Sequence, residues 1–478
     1  MLKRPTLLCI AVSSLYATSI NAADSGEIIS TLQDQKQVAV TIYNENLALV
    51  KDQRRVQLDE GQNILALRDV SAQIRPETAL LHSLTFPGSL DVLEQNFDFD
   101  LLTPQKLLEK YTGKTVTIIR TNPATGAETA EKAQVLSTND GAVFRIGDRI
   151  ETGMPERIVY DEVPDNLRDR PTLVTQLTNK GPADHNVELS YLTTGLGWKA
   201  DYVAELNAAE SRLDLTGWVT LTNTSGTNYP NAKLQLVAGD VNMVTERPVM
   251  EDMRVKSMAM AAPQMMQESL LEYHLYTLDQ STTLANNQTK QVSLLTADNV
   301  PVRKEYLLRG AEHYYHVATD DLGQKLKVGV FLEFDNKQAS NLGMPLPKGI
   351  LRVYKKDSTG AAQFVGEDSL DHTPKNETVR AKLGDAFDVT ANKKQTDFKK
   401  LASPEKGTSL FESAYEIVFK NARKETVTVK IQEPIPGDWR MVSSSHPHKK
   451  ASSRMAEWQI QVPAGGQTTL NYRVQVKY

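Results

Sequence analysis

This 478-residue chain has a single cysteine, Cys9. Cys9 lies inside an N-terminal segment read below as a cleaved leader, so the mature chain would carry no thiol. Disulfides, thiolate metal sites and cysteine nucleophiles are thereby excluded. Long apolar runs are also missing. The first, Leu7 to Val12, is interrupted by Ser13 and Ser14 and falls far short of the roughly 20 residues that span a bilayer. Positive charge is not in excess, since 54 Lys and Arg stand against 59 Asp and Glu, and this mild acidity argues against nucleic acid as a partner. The sequence contains no HExxH, no G-x-S-x-G and no usable phosphate loop, so no catalytic motif is on offer.

The chain does open with Lys3 and Arg4, then an apolar stretch, then Ser19, Ile20, Asn21 and Ala22, the order of a secretory signal peptide over residues 1–22. Export to the periplasm, or beyond the cell, is the expectation, with no transmembrane segment left after cleavage. Cleavage after Ala22 leaves 478 − 22 = 456 residues and a charge of 52 − 59 = −7. At about 100–200 residues per domain, that length accommodates three or four domains.

Apolar and polar residues alternate through most of the chain, the period of half-buried strands. Residues 38–70 give strands broken at Asn44 to Asn46 and at Asp59 to Gly61, and residues 30–100 are expected to form an N-terminal β-sandwich region. Residues 101–165 have a different order. Thr103 can cap a helix that starts at Pro104 and ends at Gly113, and short β-branched strands follow. One short helix before four or five strands resembles the Sm-like or SH3-like small barrels. Residues 170–400 are expected to form a central β domain. Its densest strand and turn signals fall in residues 186–241, where Trp198, Tyr202 and Trp218 are expected to anchor the core. Residues 392–407, charged and poor in large apolar side chains, are expected as a linker. Residues 408–478 are expected to form an immunoglobulin-like sandwich. The fold class is therefore mainly β, with antiparallel β-sandwiches in several domains, a small barrel preceded by one short helix, and a C-terminal sandwich.

Several short patterns invite chemistry and are better explained structurally. Gly113-Lys114-Thr115 lacks the earlier glycine of a phosphate loop and follows a helix instead of opening one. Asp98 and Asp100 share a strand face but lack the oxygen ligands and turn glycine of a calcium loop. His313 and His316, placed on a strand, would point to opposite faces. Ser403 to Lys406 matches S-x-x-K without its partner motifs. Residues 244–267 hold six of the 12 methionines, Met250, Met253, Met258, Met260, Met265 and Met266. Thioethers at such spacing suit Cu(I), but Pro248, Pro263 and the alanines also suit a flexible excursion from the central domain.

The stretches SYLTTGLGWKADYVAEL, LTGWVTLTNTSG and LQLVAGDVN, together with VTIYNENLALVKDQRRV, LGMPLPKGILRVYKKDSTGAAQFVGED, GDAFDV and NYRVQVKY, cover most of the mature chain. On them the chain resembles a bacterial secreted family known as a domain of unknown function and related to the mucoidy-inhibitor-like proteins. The resemblance implies an exported, β-rich envelope protein and supplies no catalytic residues. The long coiled-coil insertions of the mucoidy-inhibitor-like relatives are absent, since this chain has no sustained heptads. The resulting expectation is a non-enzymatic binding or scaffolding component of the cell envelope with a protein or glycan partner and no cofactor. The alternatives are a hydrolase of envelope glycan or peptide, and Cu(I) binding by the six methionines.

Overall fold

The computed structural model describes residues 26–44, 46–98, 100–164, 167–239, 265–270, 273–315, 317–319, 321–402 and 407–478. Residues 1–22 and the Ser403 to Lys406 pattern lie outside the described residues. So do Met250, Met253, Met258, Met260 and His316. Among the described residues the chain is mainly β, with one α-helix, Pro104–Lys110. It divides into two compact units. The first comprises Met1–Lys36, Asp52–Ala72 and Pro76–Ser190; the second comprises Gln37–Lys51, Gln73–Arg75 and Tyr191–Tyr478.

In the first unit, strands run side by side in the order Glu27–Ser30, Gly61–Arg68, Thr172–Asn179, Leu90–Asp98. The first pair is parallel and the others antiparallel. Period-2 alternation turns Leu65, Leu67, Leu173 and Leu177 inward. The helix is started as its sequence suggests: the Thr103 hydroxyl accepts from the Lys106 amide at 3.1 Å and Pro104 is the first helical residue. Leu108 and Tyr111 then join Val116, Ile118, Val135 and Phe144 in one core. The five strands around that core are ordered Arg149–Thr152, Val143–Ile146, Glu128–Ser137, Thr115–Thr121, Arg157–Val159. This is a four-stranded meander whose fifth strand returns beside the first, as in the small barrels. The sheet is open, because among the described residues no ladder joins its two edge strands.

In the second unit the long sheet is ordered Ala362–Leu370, Gly349–Lys356, Leu196–Leu206, Arg212–Asn223, Gln288–Arg309, Asp321–Asp335, Thr378–Leu401, Leu410–Asn421, Gln467–Lys477, Asp438–Ser444. Gln288–Arg309 has 22 residues and serves two neighbourhoods. Its first half pairs with Arg212–Asn223; its second half lies between Asp321–Asp335 and a parallel partner, Val427–Pro434. Val427–Pro434 continues into Met455–Val462 and His448–Ser452, so the sheet folds over on itself. One core lies between the resulting layers and includes Ala391, Phe419, Ile431, Trp458, Ile460 and Val474. Strands before the methionine-rich stretch pair with strands after it, Arg212–Asn223 with Gln288–Arg309 and Tyr229–Ala238 with Tyr273–Leu278, all within the second unit. The strands Leu196–Leu206, Arg212–Asn223 and Tyr229–Ala238 and those past 273 therefore share the second unit, while residues 186–190 fall in the first.

Three expectations require correction. Trp198 and Tyr202 are buried, but Trp218 is 37% exposed. On Arg212–Asn223 the inward positions are Leu213, Leu215, Val219 and Leu221, and Trp218 falls on the other phase with Asp214, Thr216 and Thr222. Residues 392–401, expected within a linker, complete the strand Thr378–Leu401 and pair with Leu410–Asn421. Their charge misled because Lys393 and Gln395 point inward. His313 lies in a 3-10 helix, Glu312–Tyr315, not on a strand, so the alternating-face argument does not apply to it. The two remaining methionine candidates, Met265 and Met266, lie on a strand, Met265–Leu270, paired with Tyr273–Leu278.

Candidate binding cleft

The second unit carries a cleft of about 280 Å3 whose apolar wall includes Leu206, Tyr306, Val330 and Leu332. Seven segments line it, and the first is the end of Leu196–Leu206 with the turn after it. The Asn207 side-chain oxygen accepts from the amides of Ser211 and Arg212 at 3.0 and 3.2 Å, closing the turn. This holds Glu210 at φ +54, a left-handed conformation that few non-glycine residues adopt. Glu210 is thereby presented to two strands. Lys355 donates to its Oε1 at 2.5 Å, and Lys304 donates to Oε2.

Although burial opposes ionisation, these two ammonium groups prevail and bring the Glu210 carboxyl down to about 2. A carboxylate held that low is a poor general base near neutral pH, so Glu210 fixes the cleft wall. Its stabilising effect should follow pH with a definite sign. Because the folded-state value lies below the ordinary 4.5, the contribution is complete above 4.5 and is lost as pH falls toward about 2. Glu210→Gln should lower the urea midpoint at neutral pH, and the gap to the parent should close across that window. A gap unchanged by acid would contradict the assignment.

The opposite wall comes from Thr378–Leu401. Between the pairs Gly329↔Asp385 and Lys327↔Thr390, this strand uses four residues, 386 to 389, where its neighbour uses one, 328. The surplus makes a bulge, which re-aims side chains as such irregularities do. Val389 remains in the core, while Phe387 is 95% exposed at the cleft. Asp385 is held by Lys382 at 3.2 Å and Lys327 at 3.4 Å. Arg423, also at the cleft, is held by Glu425. Much of the charge here is thus paired, leaving an apolar floor beside an unprotected aromatic ring.

Two other constellations have the residue types of catalysis but are closed to substrate. In the first unit the Phe86 amide donates to Ser83 Oγ at 3.1 Å, and the same hydroxyl is hydrogen-bonded to His185 Nδ1 at 2.9 Å. His185 Nε2 then donates to Asn179 Oδ1 at 3.1 Å, so the ring is held at both nitrogens. Ser83, His185 and Asn179 are at most 2% exposed, so the arrangement is structural. In the second unit Lys393 and Glu433 form an enclosed ion pair, treated below. Asp98 and Asp100 do not share a strand face, because the strand ends at Asp98, and neither is a freely solvated edge: Asp98 accepts from Arg168 at 2.9 Å and Asp100 is held by Lys110 at 2.8 Å, both carboxylates half-buried. Among the described residues no group of three His, Cys, Asp or Glu is arranged to hold a metal. None of their helices is long and apolar enough to cross a membrane, which leaves strand-built spans unaddressed.

The cleft was not found from sequence, because Glu210, Lys304, Lys355 and Phe387 are brought together only by strand pairing. The one local signal was the apolar Phe387 between Asp385 and Asp388 in GDAFDV. A family described as a domain of unknown function, DUF4139, matches residues 187–478. The chain belongs to this family. The match contains every residue of the cleft, the enclosed Lys393–Glu433 pair and the folded-over sandwich. The helix and its five strands lie before it. No curated protein matches the chain.

Proposed function

We propose that this protein is an exported binding or scaffolding component of the cell envelope, periplasmic, whose DUF4139 region engages a protein or glycan partner at the Phe387 cleft. The observation that carries the reading is a phenylalanine 95% exposed beside an apolar-walled cleft. Exposed aromatics next to pockets are where partner contacts concentrate, and they stack equally well on apolar side chains and sugar faces. The pairing of Glu210 with two lysines supports binding over hydrolysis at this cleft, since it takes one lining carboxylate out of use as a base. Export rests on the basic, apolar and small-residue order of residues 3–22. Under this reading residues 408–478 contribute an immunoglobulin-like module, and the resemblance extends to the mucoidy-inhibitor-like proteins.

The test places a photo-crosslinking residue at position 387 in intact cells and, as a control, at exposed Thr129. A reproducible envelope adduct at 387, absent at 129 and reduced about tenfold or more in competition by parent protein over Phe387→Ala, is expected. Equal labelling at both positions, or turnover of glycan or peptide by the purified protein, would remove the reading.

A further inference from the structure

We propose that Lys393 and Glu433 condense into an internal isopeptide bond that joins the two layers of the folded-over sandwich. Lys393 lies on Thr378–Leu401 and Glu433 on Val427–Pro434, strands that do not pair with each other. Their side chains are 1% and 0% exposed, with Nζ 2.7 Å from Oε1. The lysine is enclosed by aromatic rings, with Tyr314, Tyr415 and Tyr472 centred 4.3, 5.0 and 5.8 Å from Nζ. The second carboxylate oxygen, Oε2, accepts from the Tyr315 hydroxyl at 2.9 Å, which is itself bonded to the Tyr472 hydroxyl at 3.0 Å. Behind the carboxyl stands Gly310. A Cβ there would lie 2.1 Å from Oε2 and 2.6 Å from Cδ, so the carboxyl occupies space that only a glycine leaves open.

This geometry supplies what an amine and a carboxyl need in order to react. In water both are ionised, and the mass of solvent favours hydrolysis. Here solvent is excluded, and keeping two ions in an enclosed site is costly. Burial also pushes the Lys393 ammonium below its ordinary range despite the neighbouring carboxylate. Transfer of one proton from Nζ to the carboxylate gives a neutral amine and a neutral acid. The nitrogen lone pair attacks Cδ, and the charge developing on Oε2 falls on the Tyr315 hydroxyl already aimed at it. Oε1 carries the transferred proton, takes a second from the nitrogen and leaves as water. One C–N bond forms and one C–O bond breaks, an ammonium and a carboxylate become an amide plus water, and no oxidant or cofactor enters. Holding the two groups in contact replaces a bimolecular encounter, the usual source of large effective concentrations.

The experiment is intact-mass measurement with peptide mapping of the purified full chain, its native fold verified by near-ultraviolet circular dichroism. The expected result is a mass lower by one water and a branched peptide joining Lys393 to Glu433, while Lys393→Arg, which keeps a cation opposite Glu433, shows its full mass. Glu433→Gln offers a second reading, since condensation there would release ammonia instead of water. A natively folded parent with full mass and separate peptides for Lys393 and Glu433 overturns the proposal. Loss of water that persists in Lys393→Arg overturns it as well.

Discussion

Lys393→Met should cost the second unit about 3–5 kcal/mol, the penalty for leaving a buried charge without its partner. Among the described residues no other cation is paired with Glu433. Its Oε2 has the Tyr315 hydroxyl, but Oε1 is served by Lys393 alone in a site that is 0% exposed. The carboxyl would have to protonate or draw water into the core of the sandwich. The double variant Lys393→Met/Glu433→Leu should recover part of the loss, because it removes the stranded carboxyl and leaves a packing difference. This ordering holds for an ionic and for a condensed pair, since each single change leaves one polar group alone. Trp458 is a convenient reporter, its ring centred 5.0 Å from that of Tyr472. Urea unfolding followed by tryptophan emission checks the prediction. A single variant within about 1 kcal/mol of the parent, or a double variant less stable than either single, would sink it.

Arg54→Met should cost the first unit a similar amount, about 3–5 kcal/mol. Asp52 and Arg54 occupy successive inward positions on Leu47–Gln57, between Val50 and Val56, where alternation would normally place apolar side chains. Arg54 is 1% exposed; its Nε and Nη2 donate to Asp52 Oδ2 at 2.9 and 2.7 Å, and its Nη1 donates to the Ser30 carbonyl at 2.9 Å. Methionine fills much of the volume but strands both acceptors, leaving Asp52 with only the Gln35 side-chain amide at 2.8 Å. Arg54→Lys should recover little, because an ammonium cannot reproduce the planar fork that serves carboxylate and carbonyl together. All four tryptophans, Trp198, Trp218, Trp439 and Trp458, lie in the second unit, so their emission is a poor witness for this change. Amide hydrogen exchange across Glu27–Ser30 and Gly61–Arg68 is the appropriate measurement. Unchanged protection there in Arg54→Met would refute the prediction.

Much of the fold was legible wherever side-chain type and burial agree. The helix Pro104–Lys110 announced itself through Thr103, Pro104 and Gly113, signals that act within a few residues. The strands around it follow from β-branched runs between turns, except Arg149–Thr152, whose single apolar residue, Ile150, gives no such run. Reading failed where polar groups are buried in pairs. A lysine at 393 and an arginine at 54 look like solvated positions until Glu433 and Asp52 are placed against them. Trp218 shows the opposite error, a large apolar residue assigned to the core although Leu215 and Val219 already occupied the inward phase.

What the sequence by itself determined is local and periodic: a mainly β chain, one capped helix, turns at glycine and asparagine, and the absence of a thiol from everything past Cys9. Tertiary structure alone decided the sites. Glu210 meets Lys304 and Lys355 because antiparallel and parallel neighbours bring three distant segments side by side. Phe387 reaches solvent because four residues there oppose one. Lys393 meets Glu433 because the sheet folds over its own core. Period-2 alternation specifies which side of a strand faces inward; it carries no information about which residue stands opposite, since that depends on register between strands remote in the chain.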